Sequence, residues 1–388
     1  MIEPASGAPA EGLAIYVHYP FCARRCPYCD FNVAVQASIP HAQYREAILA
    51  ELAIRAPQFS GPSVSLYFGG GTPALWPAEE IGRVIEGVRA STGLVDNAEI
   101  TVECNPGEIR PEGFAALRAV GVNRLSLGTQ SFDDQTLAAL GRRNRAEDNR
   151  RAVMALQAAG FENFSLDLIQ GISGQTVEGA LEDVERTLEL GPAHISTYQL
   201  TIAPQTPFGA RAARGEVLTV PDDAQLAIYE GTRDKLAEAG IEPYEIANAG
   251  RAGWQAVHNS AYWVGLPYMA LGAGAHGFNH GVGAEGRWGV RWENTRHPSR
   301  YMEAALSGEP GETFRELLTE EQLDVERIMT GLRLDRGLRT TERLRARYGT
   351  GAEAAERRGW LWRDEGLWRL SPRGRALLDT VLLTIVDV

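Results

Sequence analysis

Of the 38 basic residues in this 388-residue chain only one, Lys235, is a lysine; arginine carries the rest. That bias reads as genomic base composition as much as function, and nothing catalytic is drawn from it. Acidic residues number 50, so the net charge is −12. Such a balance excludes a general nucleic-acid binder, because phosphate neutralisation needs a basic face. No run of eighteen apolar residues exists, which excludes an ordinary transmembrane helix. The first residues, Met1 to Glu11, carry acids and prolines where a secretory signal would be basic and then apolar. Together these features lead to the expectation of a cytoplasmic protein. Cysteine is also scarce, with four in the whole chain.

Three of those four, Cys22, Cys26 and Cys29, fall within eight residues. A thiolate trio on one loop can hold three corners of a four-iron four-sulfur cluster and leave the fourth iron free to chelate another group. A structural zinc site wants four closing ligands, and a disulfide framework wants an even cysteine count and an oxidising compartment. Both fit poorly, since Cys104 is remote in sequence. The Cys-x3-Cys-x2-Cys run after the apolar stretch Leu13 to Val17 resembles that of the radical S-adenosylmethionine superfamily. Tyr16, His18, Pro20, Phe21, Pro27, Tyr28 and Asp30-Phe31-Asn32 narrow the resemblance to the coproporphyrinogen oxidase-like branch. Within it the oxygen-independent oxidases carry a further cysteine just after the triad, whereas the HemW-type haem chaperones carry an aromatic. Phe31 is that aromatic.

Short β-branched or aromatic runs alternate with helical stretches along the chain: Leu13 to His18, Val64 to Gly69, Glu99 to Glu103, Arg124 to Gly128, Ser165 to Ile169 and His194 to Leu200. Between them apolar residues recur at spacings of three and four, as in Tyr44, Ile48, Leu52 and Ile54. Asp133 before Gln135 to Leu140, and Pro221-Asp222 before Ala224 to Ala239, are expected helix starts. Repeated strand-helix units demand a parallel sheet with right-handed crossovers, and six of them curl into an incomplete (β/α)6 barrel of the α/β class. Its chemistry should lie at the C-terminal strand ends. Four successive strands offer groups suited to a polar ligand: the second ends in Gly69 to Pro73, the third in Glu103 and the fourth in Gln130, and the fifth carries Asp167.

The resemblance, which covers the first 235 residues, implies roles for these positions. Gly70, Gly71 and Thr72 match the loop that receives the methionyl amino group of S-adenosylmethionine. Glu103, Gln130, Arg142 and Asp167 match its other contacts, and Tyr16 and Tyr28 match positions flanking cluster and cofactor. Cys104 reads as a small strand-end residue. Further on, His258-Asn259-Ser260-Ala261-Tyr262-Trp263 resembles the His-Asn-x-x-Tyr-Trp motif of the haem chaperones, and a neutral imidazole beside two flat aromatics suits a haem. His258 and Asn259 could equally hydrogen-bond the barrel rim, and His18 and His276 are rival iron ligands. Gly272 to Gly277 matches the Gly-x-Gly-x-x-Gly dinucleotide pattern, but Phe278 to Gly289 shows no helical period to follow it. The run is expected to be a loop returning across the barrel mouth.

From Thr313 the chain changes character. Leu323 to Leu334 and Thr340 to Tyr348 read as helices, and Trp360 to Arg363 with Leu367 to Leu370 as a hairpin turning at Asp364-Glu365-Gly366. The whole resembles a winged-helix module. Its arginines are balanced by acids, which favours a solvated surface or a lid over the barrel above DNA binding. The expected division is a cluster-bearing barrel over 1–239, a barrel-mouth extension over 240–312 and an α+β winged-helix-like module over 313–388. The resemblance implies a carrier that uses a 4Fe-4S cluster and S-adenosylmethionine, takes haem as cargo and passes it to apo haem proteins, including membrane-associated respiratory enzymes. It also implies a reduced electron donor such as flavodoxin, and leaves open a homodimer and enzymatic turnover. A coproporphyrinogen oxidase and a radical enzyme on an unrelated substrate are the alternatives.

Overall fold

A computed structural model of the protein describes residues 11–281, 289–364 and 366–386. Six strands form its centre: β1 (Leu13–Tyr19), β2 (Ser63–Gly70), β3 (Glu99–Cys104), β4 (Arg124–Gln130), β5 (Phe164–Gln170) and β6 (His194–Gln199). They lie side by side in chain order, all parallel. β1 and β5 are buried on both faces apart from one central residue each, as strands covered by helices outside and by side chains inside must be. Each expected strand is present; the first five run one or two residues longer, and the sixth stops at Gln199, one residue short of the expected Leu200. Of the apolar residues expected to face inward from the helix over 41–55, Tyr44, Ile48 and Leu52 are buried in the shared core while Ile54 is only half-buried, and Ile81, Val84, Ile85 and Val88 on 78–92 join the same core. Asp133 caps the helix Asp134–Ala139 by accepting from the Thr136 amide at 2.7 Å. The helix after Pro221 begins at Asp222, two residues earlier than expected, with no side-chain cap.

The sheet does not stop at six strands. β8 (Asn248–Gly250) pairs antiparallel with β6, and β7 (Glu242–Pro243) pairs antiparallel with β8 as the edge strand. On the other edge β9 (Tyr268–Leu271) joins β1 in parallel, and β10 (His276–His280), β11 (Gly289–Asn294) and β12 (Glu312–Leu318) extend it antiparallel, making twelve strands. The expected boundary at 313 therefore falls inside a strand. Pairing of β12 with β11 along its length carries the sheet to Leu318, and the tail's own core begins after it. Gly272 to Gly277 leads into β10 and not into a helix, so the dinucleotide pattern is sterically accounted for in another way. Gly272 (φ 106°) passes so close to β1 that a Cβ would stand 2.4 Å from the His18 carbonyl oxygen. Much of the stretch Phe278 to Gly289 lies outside the described residues.

The tail forms helices Glu320–Gly331 and Glu342–Arg357, then β14 (Leu361–Asp364) and β15 (Leu367–Leu370), with a short β13 (Leu338–Arg339) on β15. Glu365 of the expected turn lies outside the described residues. Leu344, Trp368, Leu370 and Val381 pack a core separate from the barrel's. The lid expectation is corrected. Arg333 lies over the Trp263 ring at 4.5 Å, Asp335 bonds Arg233, and Leu334 bridges to the buried Glu245. These contacts hold the tail at the end of the barrel where the parallel strands begin, away from their C-terminal ends. Among the described residues no helix is long and apolar enough to cross a membrane.

One buried polar cluster ties the added strands to the barrel. Glu51 and Arg55, both wholly buried on the helix His41–Arg55, pair at 2.6 Å. Arg55 also donates to Asn294 at 2.9 Å and to Glu312 at 3.0 Å, while Glu51 accepts from Tyr301 at 2.8 Å and from the Gly272 amide at 2.9 Å. Every charge there is met, which is the condition for keeping ions out of water.

Candidate functional site

The C-terminal strand ends and the cysteine loop enclose a cavity of about 380 Å³. Gly70, Gly71, Thr72, Glu103, Gln130, Arg142, Asp167 and Tyr28 all line it, so the sequence pattern gathers where barrel geometry places chemistry. Tyr16 does not; it opens onto the neighbouring mouth cavity and donates to His18 Nδ1 at 2.9 Å. Glu103 is held by Tyr67, which donates at 2.7 Å, and by the Gly70 amide at 3.0 Å. Burial outweighs both and pushes its carboxyl up to about 7. Asp167, raised by the same cause, accepts from Ser126 at 2.9 Å and Ser165 at 3.0 Å. Gln130 has φ 66°, the only positive value outside glycine among the described residues, at a register irregularity where β4 leaves β5. Backbone strain of that kind gathers at ligand sites.

Gly71 also serves the packing of the cysteine loop itself. A Cβ there would meet the Phe21 carbonyl oxygen at 2.6 Å and Tyr19 oxygen at 2.9 Å, so the glycine lets β2's end pack against the start of the cysteine loop. The Gly71 and Thr72 amides donate to those same two carbonyls. Tyr67, Ser126, Asn105 and Gln199 belong to the site but were not singled out in the sequence. Gln199 ends β6, and extending the strand-end rule by one strand finds it. Its Oε1 is buried without a partner among the described residues, as a polar atom awaiting a ligand would be.

The three loop cysteines fit a cluster. Cys22, Cys26 and Cys29 line the cavity with Thr72 donating to Cys22 Sγ at 3.5 Å and Arg142 to Cys26 Sγ at 3.6 Å. Arg142 is fixed by Asn105 and the Gly128 carbonyl, each at 2.9 Å, and sets a positive charge where thiolates would gather. Burial pushes Cys22 up to about 11 and also raises Cys29; iron coordination is what would deprotonate them. Among the described residues no three His, Cys, Asp or Glu side chains converge on one ion, whereas a four-iron cluster takes each thiolate at a different iron. Cys104 lies buried at the same cavity with its thiol toward the Val102 carbonyl.

The His258 motif is elsewhere. It forms the helix Val257–Trp263, whose first amides are capped by Glu99 at the start of β3, at 3.0 and 2.9 Å. The helix therefore plugs the barrel floor. His258 is buried, shares hydrogen bonds with Ser65 and Tyr262 at 2.9 Å each, and burial lowers its pKa to about 3. Both ring nitrogens of this neutral imidazole are taken. Asn259 lines the barrel interior beside it, Tyr262 reaches up to the mouth cavity, and Trp263 faces the tail. The motif thus splits between three surroundings.

A cysteine triad at the C-terminal ends of a parallel barrel, with a strained polar cofactor cavity beside it, defines a radical S-adenosylmethionine protein. The Radical SAM superfamily profile matches residues 16–190, and the HemN C-terminal domain profile matches residues 318–377. Heme chaperone HemW of Haemophilus influenzae is 38% identical over 298 residues, covering 75% of this chain and 76% of that one. Heme chaperone HemW of Mycobacterium tuberculosis is 34% identical over 382 residues, covering 97% and 96%. The chain belongs to the HemW family. Coproporphyrinogen III oxidase HemN of Escherichia coli shares the fold, with a TM-score of 0.80 at 22% identity over 97% of this chain and 90% of that one.

Proposed function

We propose that this protein is a haem carrier, which binds haem at the barrel mouth and delivers it to apo haem proteins. The observation that carries the reading is a second cavity of about 710 Å³, open at the mouth and adjoining the cofactor cavity. That volume suits a cofactor-sized ligand. Phe31, Tyr262 and Tyr268 supply aromatic surface, and Phe31, 60% exposed, is held ready where the oxidases have a cysteine. Cys22, Cys26 and Cys29 would hold the 4Fe-4S cluster, and Glu103, Gln130, Arg142 and Asp167 S-adenosylmethionine. Bound together, the pair supplies one-electron chemistry. Arg24 and Arg25, exposed on the cysteine loop, suit an acidic reduced donor of the flavodoxin class.

The test is anaerobic: cluster-loaded protein with S-adenosylmethionine receives haem in one cell and coproporphyrinogen in another. A shifted Soret band with no protoporphyrinogen formed is the expected result. Released carbon dioxide or protoporphyrinogen would replace the carrier with the oxidase.

A further inference from the structure

We infer that His276, and not His258 of the His-Asn-x-x-Tyr-Trp motif, supplies the axial nitrogen to haem iron, with Arg25 and Arg296 receiving the two propionates. The inference rests on the haem-carrier reading. Four histidines face the barrel interior or its mouth, and His194 has both ring nitrogens in hydrogen bonds, to Ser165 at 2.8 Å and Tyr244 at 2.9 Å. His258 lies at the floor with both nitrogens in hydrogen bonds. His18 accepts from Tyr16 and donates to the Asn32 carbonyl at 2.9 Å each, and burial lowers its pKa to about 4. Giving iron a nitrogen of either ring would break one of these hydrogen bonds and leave its partner unmet.

His276 is placed differently. It opens β10 at the mouth end, its side chain is 52% exposed, and it lines the cavity that holds Phe31 and Tyr268. The strand pair fixes it opposite Glu293 of β11, whose Oε1 lies 3.6 Å from Nε2. An iron-bound imidazole commonly turns its second nitrogen to a carboxylate, which sets the tautomer and strengthens the donor. At 3.6 Å Glu293 is near but not bonded, and no hydrogen bond holds either ring nitrogen of His276 among the described residues, so the half-exposed ring can turn Nε2 to iron and Nδ1 toward Glu293. Gly274 (φ 77°) brings the loop before β10 so close to Asn32 that a Cβ would stand 2.5 Å from its Nδ2. Asn32 in turn donates to the carbonyls of Ala273 and Arg296, so β10 is tied to the cysteine loop.

The ligand's other end is also provided for. Haem is a flat apolar ring with two carboxylates, and the same cavity offers the Arg25 and Arg296 guanidinium groups. Arg296 is 69% exposed and now pairs with Glu293 at 2.7 Å. A propionate taking Arg296 would release Glu293 to His276. Binding one end of the ligand would thereby prepare the donor for the other.

Ferric haem is titrated under nitrogen into cluster-loaded wild type, His276→Ala, His258→Gln and the pair Arg25→Ala/Arg296→Ala, with optical and electron paramagnetic resonance spectra recorded. His276→Ala should lose the histidine-ligated spectrum and weaken binding by at least the about 10- to 100-fold that loss of even an outer partner costs a metal site. Free imidazole should restore the spectrum. His258→Gln should keep it, and the arginine pair should weaken haem while leaving its dimethyl ester unaffected. A wild-type spectrum in His276→Ala together with its loss in His258→Gln overturns the donor assignment alone. No haem bound by wild type overturns the carrier reading with it.

Discussion

At the scale of single residues, Glu103 has the most informative surroundings. The unfolded carboxyl titrates near about 4.3, whereas burial in the folded protein lifts it to about 7. The folded state therefore binds an extra proton between those values, and ligand-free stability falls as pH rises through them. If the carboxylate grips S-adenosylmethionine, affinity should drop by about tenfold per pH unit below pH 7. Calorimetry at several pH values on wild type and Glu103→Gln checks this; an equal slope in both would remove Glu103 from the site. The residue types at this site were legible in part because the strand-end rule is positional: Glu103 and Gln130 follow from it without any contact being known, whereas Asp167 sits at the middle of β5. His258 was not. A histidine followed by asparagine, tyrosine and tryptophan reads as a ring-binding patch, yet only the Glu99 cap shows that the helix starts at the floor.

Among elements, the strands added beyond β1 were missed because β9 and β10 are only four and five residues long and the polar, charged β11 and β12 carry no apolar run to announce them. What holds them is the Glu51–Arg55 cluster, assembled from helix 41–55, the β9–β10 loop, β11 and β12. Such a set of distant contacts has no sequence pattern. Arg55→Met should destabilise the protein by about 3–5 kcal/mol, because it strands a buried carboxylate whose pKa burial already raises. Glu51→Leu with Arg55→Met should recover much of that loss. Chemical denaturation of the three variants decides it, and a double variant no more stable than the single would show that the cluster is not a closed ionic unit.

For the whole molecule, the six-unit barrel and the separate winged tail could both be read from alternating strands and helices. Their mutual placement could not, since Trp263, Arg333, Asp335 and Arg233 meet only in three dimensions. Seating the tail at the floor leaves the mouth open, and the mouth is where both cavities lie. A carrier needs that opening twice, to load and to unload. The most direct measurement is transfer: cluster-loaded protein charged with haem, separated from excess, is mixed with an apo haem protein and followed optically. The account predicts that the carrier's Soret band decays as the acceptor's holo spectrum grows, at a rate that rises with acceptor concentration. Retained haem, or transfer no faster than spontaneous release to the acceptor, would contradict it.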